Sequence, residues 1–136
     1  MSIWMVTSLA MLVAGLVWFD QRTQRIPNGV TLPLLAIFML LHWPGVPETW
    51  FGCVLLFLGW KNNWLGGGDA KLWLALLWAV PPEQGQAALL AMALSFLLTS
   101  VVQIMWRRVR AQPVTGQQAP AAWRVLPYVV WLFTLV

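Results

Sequence analysis

Two carboxylates carry most of the chemistry available to this chain. Asp20 and Asp69 are its only aspartates, and Glu48 and Glu83 are its only glutamates. Asp20 closes a charge-free apolar run from Ile3 to Phe19, and Asp69 stands just ahead of another, Leu72 to Val80. Two carboxylates held close together cannot both ionise comfortably; they share a proton, and one serves as a base while the other serves as an acid. Taken singly, each has a plainer reading. Asp20 suits a stop signal lying in the headgroups beside Arg22 and Arg25, where charge costs little. Asp69 suits a helix N-cap that accepts from free backbone amides.

The residues around Asp69 argue for more than a cap. Gly66-Gly67-Gly68 precedes it directly, and three glycines permit unusual dihedrals and the close approach of another backbone. A glycine-rich turn opening a helix also suits phosphate, but no Gly-Lys-Ser/Thr follows at Walker spacing and an acid occupies the anion's place. Lys71 lies two residues on, about 200° around a helix from Asp69, and reads either as a positive anchor or as part of the active-site loop. Near Asp20, Pro27 is suited to open a helix and Asn28 to shape the loop by local hydrogen bonding. Position along helices favours Asp69, near an N-terminus, as the anion, and Asp20, near a C-terminus, as the neutral partner.

The elements that must position these residues are membrane helices. Of the 136 residues 60% are hydrophobic and 9% charged, against roughly 25% charged in an ordinary soluble domain. A lone cysteine, Cys53, excludes a disulfide and a cysteine-rich zinc site. Six apolar runs are candidate spans: Ile3 to Phe19, Gly29 to Trp43, Thr49 to Trp60, Lys71 to Val80, Gln86 to Trp106 and Ala121 to Val136. The third and fourth are short for a bilayer and are expected to extend into their loops. The expected fold is therefore an all-α integral membrane bundle of six transmembrane helices, one membrane-embedded domain over residues 1–136 with a polar cytoplasmic loop at 107–120. The first run has no basic segment before it and no small-residue cleavage site after it, and is expected to be retained.

Charge sets the orientation. With the N-terminus outside the cytoplasm, Arg22, Arg25, Lys61, Lys71, Arg107, Arg108, Arg110 and Arg124 all fall on the cytoplasmic side, as the basic bias of such loops requires. Both aspartates then share that side, while Glu48, Glu83 and His42 face away. Trp18, Trp60, Trp64, Trp106 and Trp123 fall near the inner boundary, and Trp4, Trp43 and Trp50 near the outer one, as interfacial indoles do. Arg124, at the start of the last run, is expected to snorkel to the interface. His42, far from both acids, reads as an interfacial structural residue.

Gly66-Gly67-Gly68-Asp69-Ala70-Lys71 resembles the Gly-x-Gly-Asp-x-Lys signature of the type IV prepilin peptidases, and Asp20 to Asn28 resembles their first-aspartate segment, an Asp followed by Arg and then Ile26-Pro27-Asn28. Leu126-Pro127-Tyr128 is similar to the Pro-aromatic element that closes the pattern, although Val129-Val130-Trp131 departs from it. The resemblance implies an aspartic endopeptidase of the inner membrane, with Asp20 and Asp69 as the catalytic pair and Gly66, Gly67, Gly68, Lys71, Pro27 and Asn28 in the active-site loops. It implies no cofactor or metal and no nucleic-acid partner. The substrate would be a single-span prepilin-like protein, cut after Gly on the cytoplasmic side of the lipid membrane. The cytoplasmic cysteine-bearing region that longer members carry has no counterpart here, so N-methylation is not expected. Two rival readings stay open: a proton-coupled carrier component, since paired membrane acids also relay protons, and a catalytically silent assembly partner in a secretion apparatus.

Overall fold

The computed structural model describes residues 2–23, 26–109 and 122–136, and among them it is all helical. Six α-helices follow one another: α1 (Ile3–Thr23), α2 (Asn28–Leu41), α3 (Pro47–Lys61), α4 (Gly67–Trp78), α5 (Gly85–Val109) and α6 (Leu126–Leu132). Short 3-10 turns, Pro82–Gln84, Ala122–Val125 and Phe133–Leu135, precede α5 and flank α6. Each apolar run of the sequence coincides with one helix. The windows Ile3–Asp20 and Pro82–Trp106 are long and apolar enough to cross a membrane. α5 runs on to Val109, so the first three residues of the expected loop at 107–120 are helical; the rest of that loop lies outside the described residues.

The bundle is built around α4. Leu72, Trp73, Ala75, Leu76, Leu77 and Trp78 are all buried on this one helix, and only a narrow stripe through Gly67, Lys71 and Leu74 is left partly open. α2 and α3 pack along it, and aromatic contacts join it to the last two helices. The Trp73 ring lies 4.6 Å from Phe96 of α5 and 5.3 Å, edge to face, from Tyr128 of α6. α1 closes one side with a stripe, Val6, Leu9, Val13, Leu16 and Val17, buried at helical spacing.

Outside this core the surface is apolar. Trp4, Met11 and Leu40 are each more than three-quarters exposed, and the outer faces of α3 and α5 carry Phe51, Phe57, Leu90, Leu94 and Leu97. A protein in water rarely leaves so much contiguous apolar surface uncovered. With lipid as the solvent, the same surface is satisfied without partners. This is a membrane protein.

A turn opposite the aspartates shows why one glycine there is required. Gly45 has φ 77°, and a Cβ on it would stand 2.8 Å from the Trp78 ring. That ring cannot yield easily, because Trp50 packs edge-on against it at 5.5 Å and Trp50 Nε1 is itself tied to the Pro44 carbonyl at 2.9 Å. Gly45→Ala is expected to destabilise the protein by about 1–2 kcal/mol from the left-handed backbone alone, read as a lower melting temperature in detergent. Gly15→Ala, where an added Cβ meets nothing within 4 Å inside α1, should match or exceed wild type.

Candidate active site

The buried stripe of α1 ends in a carboxylate. Asp20 falls one turn beyond Leu16 and Val17 on the same face and is only 5% exposed. The helix does not stop there: it continues to Thr23, whose hydroxyl donates to the Phe19 carbonyl at 2.8 Å. Asp20 is thus an inward-facing residue of the last turns of α1, not a stop signal among headgroups. Arg22 points elsewhere, exposed and stacked 4.8 Å over Trp18.

Asp69 is the third residue of α4, after Gly66 as N-cap, and is 7% exposed. Its carboxylate lies back over the start of the helix, for a Cβ placed on Gly66 would come 3.6 Å from Asp69 Oδ2. The expectation of unusual dihedrals in the triple glycine is not met. Gly66 has φ −65°, and none of the three occupies the left-handed region. Close approach is the operative constraint, and it acts at one position: a Cβ on Gly68 would stand 2.9 Å from the Ile26 Cβ, whereas one on Gly67 meets nothing nearer than the Trp60 indole at 3.4 Å.

Ile26 therefore seats the connection between α1 and α2 on the first turn of α4, next to Asp69. A second tie reinforces it, with Lys71 Nζ donating to Asn28 Oδ1 at 2.9 Å. Asn28 was expected to bond locally; its partner lies 43 residues away. Pro27, extended at φ −69°, opens α2 as expected. The segment Ile26-Pro27-Asn28 and the segment Gly68 to Lys71 thus meet, and with them the elements that carry the two aspartates.

The two carboxylates lie near enough to act on one another. Burial, then the negative charge of Asp20, push Asp69 up from 3.8 to about 6, and Arg124 pulls the other way. Asp69 precedes the apolar run of α4, at the head of the helix, where the helix dipole favours the anion by ~0.3–1 kcal/mol. The net shift corresponds to about 3 kcal/mol in the opposite sense. Burial outweighs the dipole, so Asp69 is pushed toward its protonated form and away from the anion that its helix position favours.

Arg124 makes its contacts with α5. Its Nη2 donates to Gln103 Oε1 at 2.9 Å, while the Ser95 hydroxyl donates to its carbonyl at 2.6 Å. The side chain is half-buried in the bundle and runs along α5 from the level of Ser95 to Gln103. The signal for this arrangement was in the sequence, since Ser95, Thr99 and Gln103 recur every fourth residue in the otherwise apolar α5. Tyr128, also buried, donates its hydroxyl to the Leu76 carbonyl at 3.4 Å. His42 stays away from the acids as expected: its Nδ1 lies 2.8 Å from the Trp78 carbonyl at the far end of α4, so that nitrogen carries the proton.

The model of the type IV leader peptidase family matches residues 5–105. The chain belongs to this family. The matched stretch holds Asp20, Asp69 and both segments that meet around them, while Arg124 and Tyr128 lie beyond it. Comparison with curated proteins and with solved structures gives no match.

Two outcomes follow from this geometry in a leader peptidase. Gly68→Ala must push Ile26 and the α1–α2 connection off α4, and should cost about tenfold or more in peptidase activity through misplacement of the pair; Gly66→Ala should stay near wild type. The pH dependence of stability has a defined sign. An aspartate whose folded value is raised contributes stability fully present below 3.8 and lost as pH rises through about 6. Asp69→Asn should therefore melt above wild type at pH 7.5, with the difference closing below pH 4, in thermal unfolding followed across pH.

Proposed function

We propose that this protein is a multi-pass aspartic endopeptidase of the bacterial inner membrane, removing the short basic leader from single-span prepilin-like proteins by cleavage after Gly on the cytoplasmic side. The observation that carries this reading is the meeting of Asp20 and Asp69 inside an apolar bundle, each less than a tenth exposed, with the charge of one raising the other. Family membership supplies the peptidase class. The six-span arrangement with the N-terminus outside is supported by the positions of all eight basic residues.

In this mechanism Asp20, ionised, takes a proton from a water, which attacks the scissile carbonyl. Asp69, protonated, donates to the carbonyl oxygen and forms the neutral tetrahedral intermediate. Collapse of that intermediate breaks the C–N bond as a proton passes to the leaving amine, and the pair returns to one proton. The chemistry is complete with two carboxylates and a water.

Access to water follows from length. α4 has 12 residues, so it spans about 18 Å against about 30 Å of hydrocarbon, and a bilayer thinned beside it would bring water and the leader's cleavage point to its first turn. A proton carrier is less well supported, because both acids sit at one end of α1 and α4, whereas carrier sites form near the midplane.

The test is leader removal from a prepilin-like substrate by the purified, lipid-reconstituted protein. Asp20→Asn and Asp69→Asn should each abolish cleavage, and full cleavage by either would remove the pair from the mechanism. Because the working acid is protonated Asp69, kcat/KM should fall as pH rises through about 6; a profile flat from pH 5 to 8 would contradict that assignment.

A further inference from the structure

Arg124 is placed as no interfacial anchor would be. Its Nε is buried with no hydrogen-bond partner, and the donor it does use goes to a neutral amide, Gln103. A guanidinium keeps its charge at every pH a protein meets, and a cation withdrawn from water without an anion nearby is strongly unfavourable. The turn that carries it, Ala122–Val125, packs against α1 and α5.

Register brings Arg124 to the aspartates. Tyr128 meets Trp73 ring to ring and the Leu76 carbonyl by its hydroxyl. Asp69 lies four residues before Trp73, and Arg124 lies four before Tyr128. The two segments run the same way, so one turn back from the stacked rings Arg124 comes opposite Asp69, and its turn packs on α1, the helix that carries Asp20. The charge of Arg124 acts on Asp69 as this placement requires.

Other charges among the described side chains are placed as follows. α2 carries none in its described length, Lys71 of α4 is engaged with Asn28, and Arg22 of α1 stacks on Trp18. Lys61 of α3 and Arg108 of α5 are exposed at the ends of their helices. Glu48 lies beside Gln86, at the opposite end of α5 from Arg108, and Glu83 falls in the 3-10 turn just before that end.

We propose that Arg124 is a positioning residue of the active site, held by Gln103 and Ser95 against the two aspartates so that its fixed charge keeps one of them ionised. Burial of two carboxylates side by side favours their protonated forms, and a cation at close range opposes that. The inference rests on the hydrolytic pair of the proposed function, and it deepens that reading by naming what maintains its working protonation state.

The chain has only two aspartates, which allows a test independent of turnover. Full-length protein labelled with carboxyl-13C aspartate is reconstituted in lipid, and the carboxylic C=O band is titrated by infrared spectroscopy. Arg124→Gln should move the midpoint of proton loss up by about one pH unit, the low end for an opposite charge at close range. Arg124→Lys should restore most of the shift, and Gln103→Leu, which frees the guanidinium, should shift the midpoint part of the way. An unmoved midpoint in Arg124→Gln, or equal shifts in the Lys and Gln variants, overturns the proposal. If Arg124→Gln does not accumulate folded, Gln103→Leu decides, and an unmoved midpoint there is equally fatal. Cleavage measured in parallel separates the two ideas. Retained cleavage by Asp20→Asn sinks the hydrolytic pair, whereas a static midpoint with both aspartates essential sinks only the role of Arg124.

Discussion

A helix buried over most of its surface must have its ends fixed largely from within the protein, and α4 is such a helix. Its first amides and last carbonyls lie where neither water nor lipid substitutes easily for a partner. At the C-terminal end the Trp78 carbonyl takes the His42 ring and the Leu76 carbonyl takes the Tyr128 hydroxyl. At the N-terminal end Ile26 packs on Gly68 and Lys71 is tied to Asn28. α2, α6 and the connections beside α2 are placed by these contacts, so fixing the ends of α4 largely fixes the rest.

The same constraint explains where the chemistry sits. The exposed amides of a helix N-terminus and the dipole behind them are the one region of a buried helix that welcomes a carboxylate. Asp69 occupies it, and α1 delivers Asp20 to the same place by continuing its buried stripe past Leu16. An isolated buried acid would simply stay protonated. Two acids with a cation in reach occupy the intermediate condition, one proton between two carboxylates, that general acid and base catalysis needs.

Local chemistry made part of this legible in the sequence. Composition and the apolar runs located the helices, and Asp20 to Asn28 and Gly66 to Lys71, each a short continuous segment, pointed to a catalytic pair through their resemblance to a family pattern. Reasoning from a single helix was less sound. The plainer single-helix reading of Asp20, a stop signal in the headgroups, overlooks the buried stripe that it continues, and weighing only the dipole at Asp69 leaves out desolvation, which depends on what packs around the residue. The bonds of Asn28 to Lys71, Tyr128 to Leu76 and Arg124 to Gln103 span 43, 52 and 21 residues. No local pattern announces such pairs, although the four-residue recurrence of Ser95, Thr99 and Gln103 marked the face of α5 that receives one of them.

Stability and function pull in opposite directions at this site. A bundle that placed leucine at 20 and 69 would hide no charge and would leave Arg124 free to reach the interface. The observed chain instead buries two acids and a half-buried guanidinium with an unpartnered Nε. Such a group of charges is worth less to the fold than well-packed hydrocarbon of the same volume, yet removing a single member leaves the others uncompensated. The rigid scaffold around it follows from that imbalance. Trp73 is gripped between Phe96 and Tyr128, and every element of α4 from Leu72 to Trp78 is packed, because a loosely held helix would let water relax the carboxylates toward ordinary acids. The aromatic core of the bundle thus belongs to the catalytic apparatus as much as to the fold: it holds the pair dry enough to share a proton, a turn away from the surface where substrate and water must enter.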